Sequence, residues 1–315
     1  MNWTPADIPN LSGRIAVITG ANGGLGLETA RELARAGAAV VMAARNESKA
    51  EAARADILEQ VPTADLEVVS LDLGSLASVR AAAETIVAKH PVVDLLVNNA
   101  GVMAVPEGRT VDGYEIQFGT NHLGHFALTA LLMAALARAD AARVVSVTST
   151  ARHMGRPVDP GNPHLRGRYK PWRAYGQSKL ANLHFAVELH RRLAAAGSPV
   201  ASLVAHPGLS NTDLQTVSLA ESGGLSQRFF KALAGATGMP PAHGARPSLR
   251  AATDPKARSG QLYAPRFVNS GAAVRRPLMG RSLNRRAATT LWEVSERETG
   301  IVFDVAATAG LSDKD

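Results

Sequence analysis

The sequence has no cysteine, only 4% aromatic residues, and no apolar run of about 18 residues. Disulfides and thiolate metal sites are therefore excluded, no metal site is expected, and nothing points to an oxidising compartment. Met1 to Ser12 lacks the charged start and apolar run of a signal peptide. The expectation is a soluble, cytoplasmic protein without a membrane span.

Nucleic-acid motifs are also missing, although the net charge is +7. The basicity is local. Ala245 to Arg286 holds ten Lys and Arg against the single acid Asp254, an excess of nine, so the rest of the chain carries a net −2. Only Tyr263 and Phe267 fall among these cations, too few aromatics for a single-strand binding platform. The segment reads as a solvated or subunit-facing surface, with an acidic partner or attraction of an anionic cofactor as the other readings. No nucleic-acid partner is expected, and a homo-oligomer is left open.

What is present is a long chain, 315 residues and 46% hydrophobic, rich in Ala, Val and Leu. Short β-branched runs alternate with helical patterns, beginning with Arg14 to Thr19, Leu25 to Ala36 and Ala39 to Ala43. Further strands are expected at Leu66 to Ser70, Val92 to Val97, Arg143 to Thr148 and Val200 to Ala205. Helices are expected at Leu76 to Lys89, from Val111 to Ala137, and from Ala174 to Ala196. Gln261 to Phe267 fits a seventh strand, and Gln227 to Ala234 and Ala288 to Ser295 fit short helices. The expected class is α/β, a doubly wound, mostly parallel sheet of six to seven strands with helices on both faces. One domain spans residues 1–315, with a cofactor half at 12–150, a catalytic half at 151–208, and a substrate cap with C-terminal elements at 209–315.

The turn from the first strand into the first helix reads Thr19-Gly20-Ala21-Asn22-Gly23-Gly24-Leu25-Gly26. Glycines there let the backbone approach a pyrophosphate, and the helix N-terminus supplies free N–H groups and a positive dipole end. The second strand ends in Ala44-Arg45, with no acid to accept from ribose hydroxyls. Arg45 either meets a 2′-phosphate or is a solvated loop residue, and the acid-free strand end favours NADP(H) over NAD(H) in both cases. Asp72, followed by Leu73, either reaches the adenine edge or caps the next helix. Asn98-Asn99-Ala100-Gly101 follows the fourth strand, where small residues permit close packing beneath a cofactor and asparagine amides can tie strands together.

Tyr175 and Lys179 stand four apart at the start of a helix, so they share a face. An ammonium beside a phenol lowers its pKa from about 10 toward the working pH, which suits a general acid or base.

These motifs occur in the order found in the short-chain dehydrogenase/reductase family, which the sequence resembles over nearly its whole length. The resemblance covers Thr19 to Gly26, Asn98 to Gly101, Ser149, Tyr175 to Lys179, and His206-Pro207-Gly208 with Leu209 and Thr212. It implies a Rossmann fold and a carbonyl/alcohol interconversion in which Ser149 polarises the substrate oxygen, Tyr175 transfers the proton, and Lys179 also holds the nicotinamide ribose. Asn121 would support a water relay to Lys179. Pro207, Gly208, Leu209 and Thr212 would contact the nicotinamide carboxamide. Thr148 and Thr150 flank Ser149, so the serine is open to a one-residue error. His153 and His206 read as structural, because the tetrad already supplies a proton path.

Ala44-Arg45-Asn46, the stretch Asn121 to Phe126, and Ala174 to Asn182 resemble the retinol-dehydrogenase-like branch, which includes WW-domain oxidoreductases. A long insertion between Ser149 and Tyr175 also fits. The membrane anchor of many of those enzymes is not expected here. A small-molecule carbonyl or alcohol is the expected partner; Leu214, Leu225, Phe229, Phe230 and Leu233 suggest a hydrophobic one, or simple core packing. The competing class is a catalytically silent NADP(H)-sensing or interaction module on the same fold.

Overall fold

Six apolar runs become parallel strands: β1 (Ile15–Thr19), β2 (Ala39–Ala44), β3 (Leu66–Ser70), β4 (Leu95–Asn98), β5 (Arg143–Val147) and β6 (Ala201–Ala205). The computed structural model describes residues 2–208 and 239–309. Ala16, Val17 and Ile18 of β1 are fully buried, as a strand covered on both faces requires. Two further strands, β7 (Leu262–Pro265) and β8 (Ala273–Arg276), extend the sheet to the order β3-β2-β1-β4-β5-β6-β7-β8. β7 runs parallel to β6, whereas β8 returns antiparallel. Among the described residues the sheet therefore has eight strands rather than six to seven. β8 escapes the sequence reading because Arg275 and Arg276 face solvent at a sheet edge, so only Ala273 is buried.

Helices α1 (Gly24–Arg35) and α2 (Glu47–Gln60) cover one face, while α3 (Leu76–Lys89), α5 (Gly124–Ala137) and α6 (Pro171–Ala195) cover the other. A one-turn helix, α4 (Ile116–Phe118), and a π turn (Gly119–Leu123) lead directly into α5. Helix was expected from Val111, but the chain enters it five residues later. Gly113 takes φ +84° in a turn, and the Glu115 carboxylate then accepts from the Gln117 and Phe118 amides to cap α4.

α7 (Pro241–Thr253) was not anticipated, because Pro247 lies inside it and a proline there removes a helical hydrogen bond. Its apolar face, Ala245, Leu249 and Ala252, packs with Ala30, Leu33 and Ala34 of α1. Arg250 of α7 pairs with Asp254 and reaches the Ala273 carbonyl, so part of the basic segment holds the sheet edge in place. α8 (Arg285–Thr299) is longer than the Ala288 to Ser295 expected, and α9 (Val305–Ala309) follows. Trp292 of α8 stacks on Phe185 of α6 and on Phe303, closing the second face.

β1 pairs with β2 on one side and β4 on the other. The chain reverses its direction of travel across the sheet at this point, which opens a crevice at the carboxyl ends of the strands. The expected cap helix Gln227 to Ala234, and Leu214, Leu225, Phe229, Phe230 and Leu233, lie outside the described residues. No helix among the described residues is long and apolar enough to cross a membrane.

Candidate active site

A cleft of about 540 Å³ occupies that crevice. The turn after β1 forms its floor: Gly20, Asn22, Gly23, Gly24, Leu25 and Gly26 all line it. Gly20 has φ +68°, and a Cβ at Gly26 would lie 2.2 Å from the Gly20 carbonyl oxygen. The turn can therefore close only with glycine at position 26, which leaves the first amides of α1 facing the cleft.

Arg45 at the end of β2 lines the same cleft, as does Lys49 from the first turn of α2. Lys49 was not singled out from the sequence. Its signal was its place four residues after Arg45, with Asn46 between them capping α2 by accepting from the Lys49 amide. Two cations thus stand at the β2 end of the cleft, where an anionic group gains from both.

Asp72 and Leu73 line the cleft too. Asp72 Oδ1 accepts from the Gly74 amide, but the N-cap of α3 is Ser75, so the capping alternative for Asp72 does not hold.

Of the Asn98 to Gly101 motif, Ala100 and Gly101 face the cleft with Asn99, whereas Asn98 does not. Asn98 is buried and donates to Thr129 of α5, because successive side chains of β4 alternate between faces. Asn98 was expected at the cofactor, but it is Asn99 that lines the cleft, donating to the Thr19 carbonyl and so tying β4 to β1.

Ser149, Tyr175 and Lys179 meet in the cleft. Ser149, two residues beyond β5, caps the 3₁₀ turn Thr150–His153 through its Oγ, which accepts from the Ala151 amide at 3.2 Å. Thr148 is engaged elsewhere, its hydroxyl donating to the Lys179 carbonyl at 2.7 Å. Thr150 lines the cleft beside Ser149. Pro171 at the start of α6 extends that helix three residues upstream of the expected Ala174, which sets Tyr175 in its second turn.

The electrostatics differ from the simple Tyr-Lys expectation. Burial pushes the Tyr175 phenol up to about 12, opposed by a hydrogen bond with Ser149. Burial also pushes the Lys179 ammonium down to about 8. The ammonium lies 5.8 Å from the Tyr175 ring centroid, so desolvation outweighs its pull on the phenol. Tyr175 is a neutral phenol at neutral pH.

Asn121 does not line the cleft. It is fully buried in the π turn, with Oδ1 accepting from the Val102 amide and Nδ2 donating to the Val102 carbonyl and to Ser178 Oγ. A Cβ at Gly101 would lie 2.8 Å from Asn121 Oδ1 and 3.5 Å from Lys179 Nζ, so Gly101 permits these two side chains to approach.

Pro207 and Gly208 after β6 line the far end of the cleft. Leu209 and Thr212 lie outside the described residues. His206 is buried, and desolvation pushes its imidazole down to about 3. His153 is exposed and lies outside the cleft lining.

The fold is a doubly wound α/β sheet with its cleft at the switch point between β1 and β4. Residues 14–222 match the family model for short chain dehydrogenase, and the chain belongs to that family. Retinol dehydrogenase 12 of Mus musculus is 38% identical over 298 residues, covering 93% of this chain and 89% of that protein. Polyprenol dehydrogenase of Mus musculus is 43% identical over 217 residues, covering 68% of this chain and 64% of that protein. A crystal structure of a putative uncharacterized protein from Mycobacterium paratuberculosis is 42% identical, with a TM-score of 0.80, over 96% of this chain and 99% of that one. A putative short chain dehydrogenase from Shigella flexneri complexed with NADP shares the fold, at 22% identity and a TM-score of 0.61, over 80% of this chain and 97% of that one. The chain is a retinol-dehydrogenase-like oxidoreductase of this family.

Proposed function

We propose that the protein is an NADP(H)-dependent reductase and dehydrogenase that interconverts a carbonyl and an alcohol, with Tyr175 as general acid and base. One observation carries this reading: a single cleft joins the glycine turn, the Arg45 and Lys49 cations, and Ser149, Tyr175 and Lys179. Bound there, a nicotinamide dinucleotide would supply the hydride. The cradle fits such a ligand, because the absence of a Cβ at Gly26 lets the turn close on the Gly20 carbonyl and brings the start of α1, with its free amides, to where a pyrophosphate would lie.

The remaining chemistry falls to the protein. Ser149 Oγ donates to the substrate oxygen and stabilises the negative charge that grows as the carbonyl is reduced. Tyr175, protonated by virtue of its raised pKa, gives that oxygen its proton and completes the alcohol. Lys179 holds the ribose and stabilises the phenolate left behind. Asn121 positions the 101–102 segment against Lys179 and supports the path that returns a proton to Tyr175. The same groups run the oxidation in reverse. Nothing in the cleft favours the silent-module reading, since Ser149, Tyr175 and Lys179 are all present.

Cofactor preference is the finer part of the proposal. Arg45 and Lys49 would pair with the 2′-phosphate, and each charge-assisted contact is worth about 1.5–3 kcal/mol, or roughly 10- to 150-fold in affinity. Fluorescence titration of NADPH and NADH at fixed ionic strength tests it in wild type, Arg45→Ala and Lys49→Ala. Selective weakening of NADPH supports the assignment, whereas equal losses for both cofactors contradict it.

A further inference from the structure

A second cavity, of about 340 Å³, is lined in part from the same elements as the cleft, the Thr150–His153 turn and α6. Arg152, His153, Leu180, Met279, Arg281 and Ser282 are among its lining, and among the described residues no Asp or Glu is. Arg152 and His153 belong to the 3₁₀ turn that Ser149 caps. Arg152 Nη1 donates to the Ser149 carbonyl at 3.0 Å. Arg281 enters from the turn Gly280–Leu283 and donates from Nη1 to the Gly155 carbonyl at 2.8 Å. Among the described residues, neither arginine forms a salt bridge. The Arg152 Nε is buried with no hydrogen-bond acceptor among them. A covered guanidinium donor without a carboxylate is an unfavourable arrangement unless an anion completes it.

The cavity and the proton-transfer residues share two elements. Three residues of a 3₁₀ turn advance about 6 Å, the span from Ser149 to Arg152. Gly155 packs directly on Gly176, where a Cβ at Gly155 would lie 2.2 Å from the Gly176 carbonyl oxygen, and Gly176 follows Tyr175. Leu180, on the cavity wall, follows Lys179. We propose that this cavity receives the carboxylate or phosphate group of a substrate whose carbonyl lies between Ser149 and Tyr175. This assignment rests on the reductase reading, and it gives His153 a ligand-facing place in addition to a structural one.

Two matched pairs of probes test it: succinic semialdehyde against its methyl ester, and glycolaldehyde phosphate against glycolaldehyde. Wild type should favour the charged member of at least one pair by about tenfold or more in kcat/KM, and Arg281→Met should bring that ratio to within about twofold. The pair that responds identifies carboxylate or phosphate. Equal use of charged and neutral members, unchanged in the variant, would overturn the anion site while leaving the reductase reading intact. If no probe is turned over, calorimetric titration of the NADP-loaded enzyme with succinic semialdehyde and inorganic phosphate still decides the matter. Binding weakened about tenfold in Arg281→Met and in Arg152→Met supports the site, and equal binding in wild type and Arg281→Met overturns it. Arg281 lies on an exposed turn, so its variant guards against misfolding of Arg152→Met.

Discussion

His125 Nε2 lies 2.8 Å from Thr19 Oγ1, joining the π-turn end of α5 to the end of β1 across 106 residues of sequence. The Asn121 carbonyl can only accept, so His125 Nδ1 donates to it at 2.9 Å and Nε2 takes the Thr19 hydroxyl proton. That hydroxyl in turn accepts from the Asn99 and Ala100 amides. A neutral imidazole thus connects the glycine turn, the β4 loop and Asn121. His125→Phe removes both of these hydrogen bonds, leaving the Thr19 hydroxyl only the longer 3.4 Å contact to the Val97 carbonyl, and should lower stability by about 1–3 kcal/mol in urea unfolding. A loss under about 0.5 kcal/mol would contradict the network.

The same histidine gives an acid dependence. Burial pushes His125 down to about 4, below its ordinary 6.5. Between these values the unfolded chain binds a proton that the folded chain does not, so stability is fully present above pH 6.5 and is lost as pH falls toward 4. The slope of unfolding free energy between pH 6.5 and 4 should be shallower in His125→Phe than in wild type. Identical slopes would show that another group carries the acid loss.

At Gly26 the prediction concerns ligand binding more than fold. An alanine Cβ must displace the Gly20 carbonyl, 2.2 Å away, and so opens the turn that faces the cofactor. Gly26→Ala should weaken both NADPH and NADH by at least about tenfold, unlike the selective loss expected at Arg45. Retained affinity for either cofactor would mean that the turn adapts.

Lys179 predicts a pH dependence of opposite sense. Its ammonium, held near 8 by burial, is charged below that pH and neutral above it. NADPH affinity should therefore decline as pH rises through about 8, and Lys179→Met should flatten the profile. A wild-type affinity that is level from pH 7 to 9 contradicts a charged Lys179 at the ribose.

The six parallel strands were legible because burial on both faces leaves continuous apolar runs, as in β1 and β5. Other elements hide their pattern. α2 buries only Ala50, Ala53 and Ile57 and has no marked apolar face, so it was not delimited from sequence. Pro247 disguised α7, and solvent-facing arginines disguised β8. In the site, Ser149, Tyr175 and Lys179 could be read from spacing and order. The choice between Asn98 and Asn99 could not, because it depends on the strand's alternation at its last residue. Lys49 and His125 acquire their meaning only from long-range neighbours.

Tyr175 carries the proton transfer of the proposed reaction. NADPH consumption with a panel of aldehydes and ketones, measured in wild type and Tyr175→Phe alongside the NADPH dissociation constant, separates proton transfer from cofactor binding. The variant keeps the ring in its packing against Trp172 while removing the hydroxyl. The expected result is turnover in wild type and a fall of at least about 10² in Tyr175→Phe at unchanged NADPH affinity. Near-normal turnover in the variant, or no turnover in a wild type that binds NADPH, would contradict the proposed reaction.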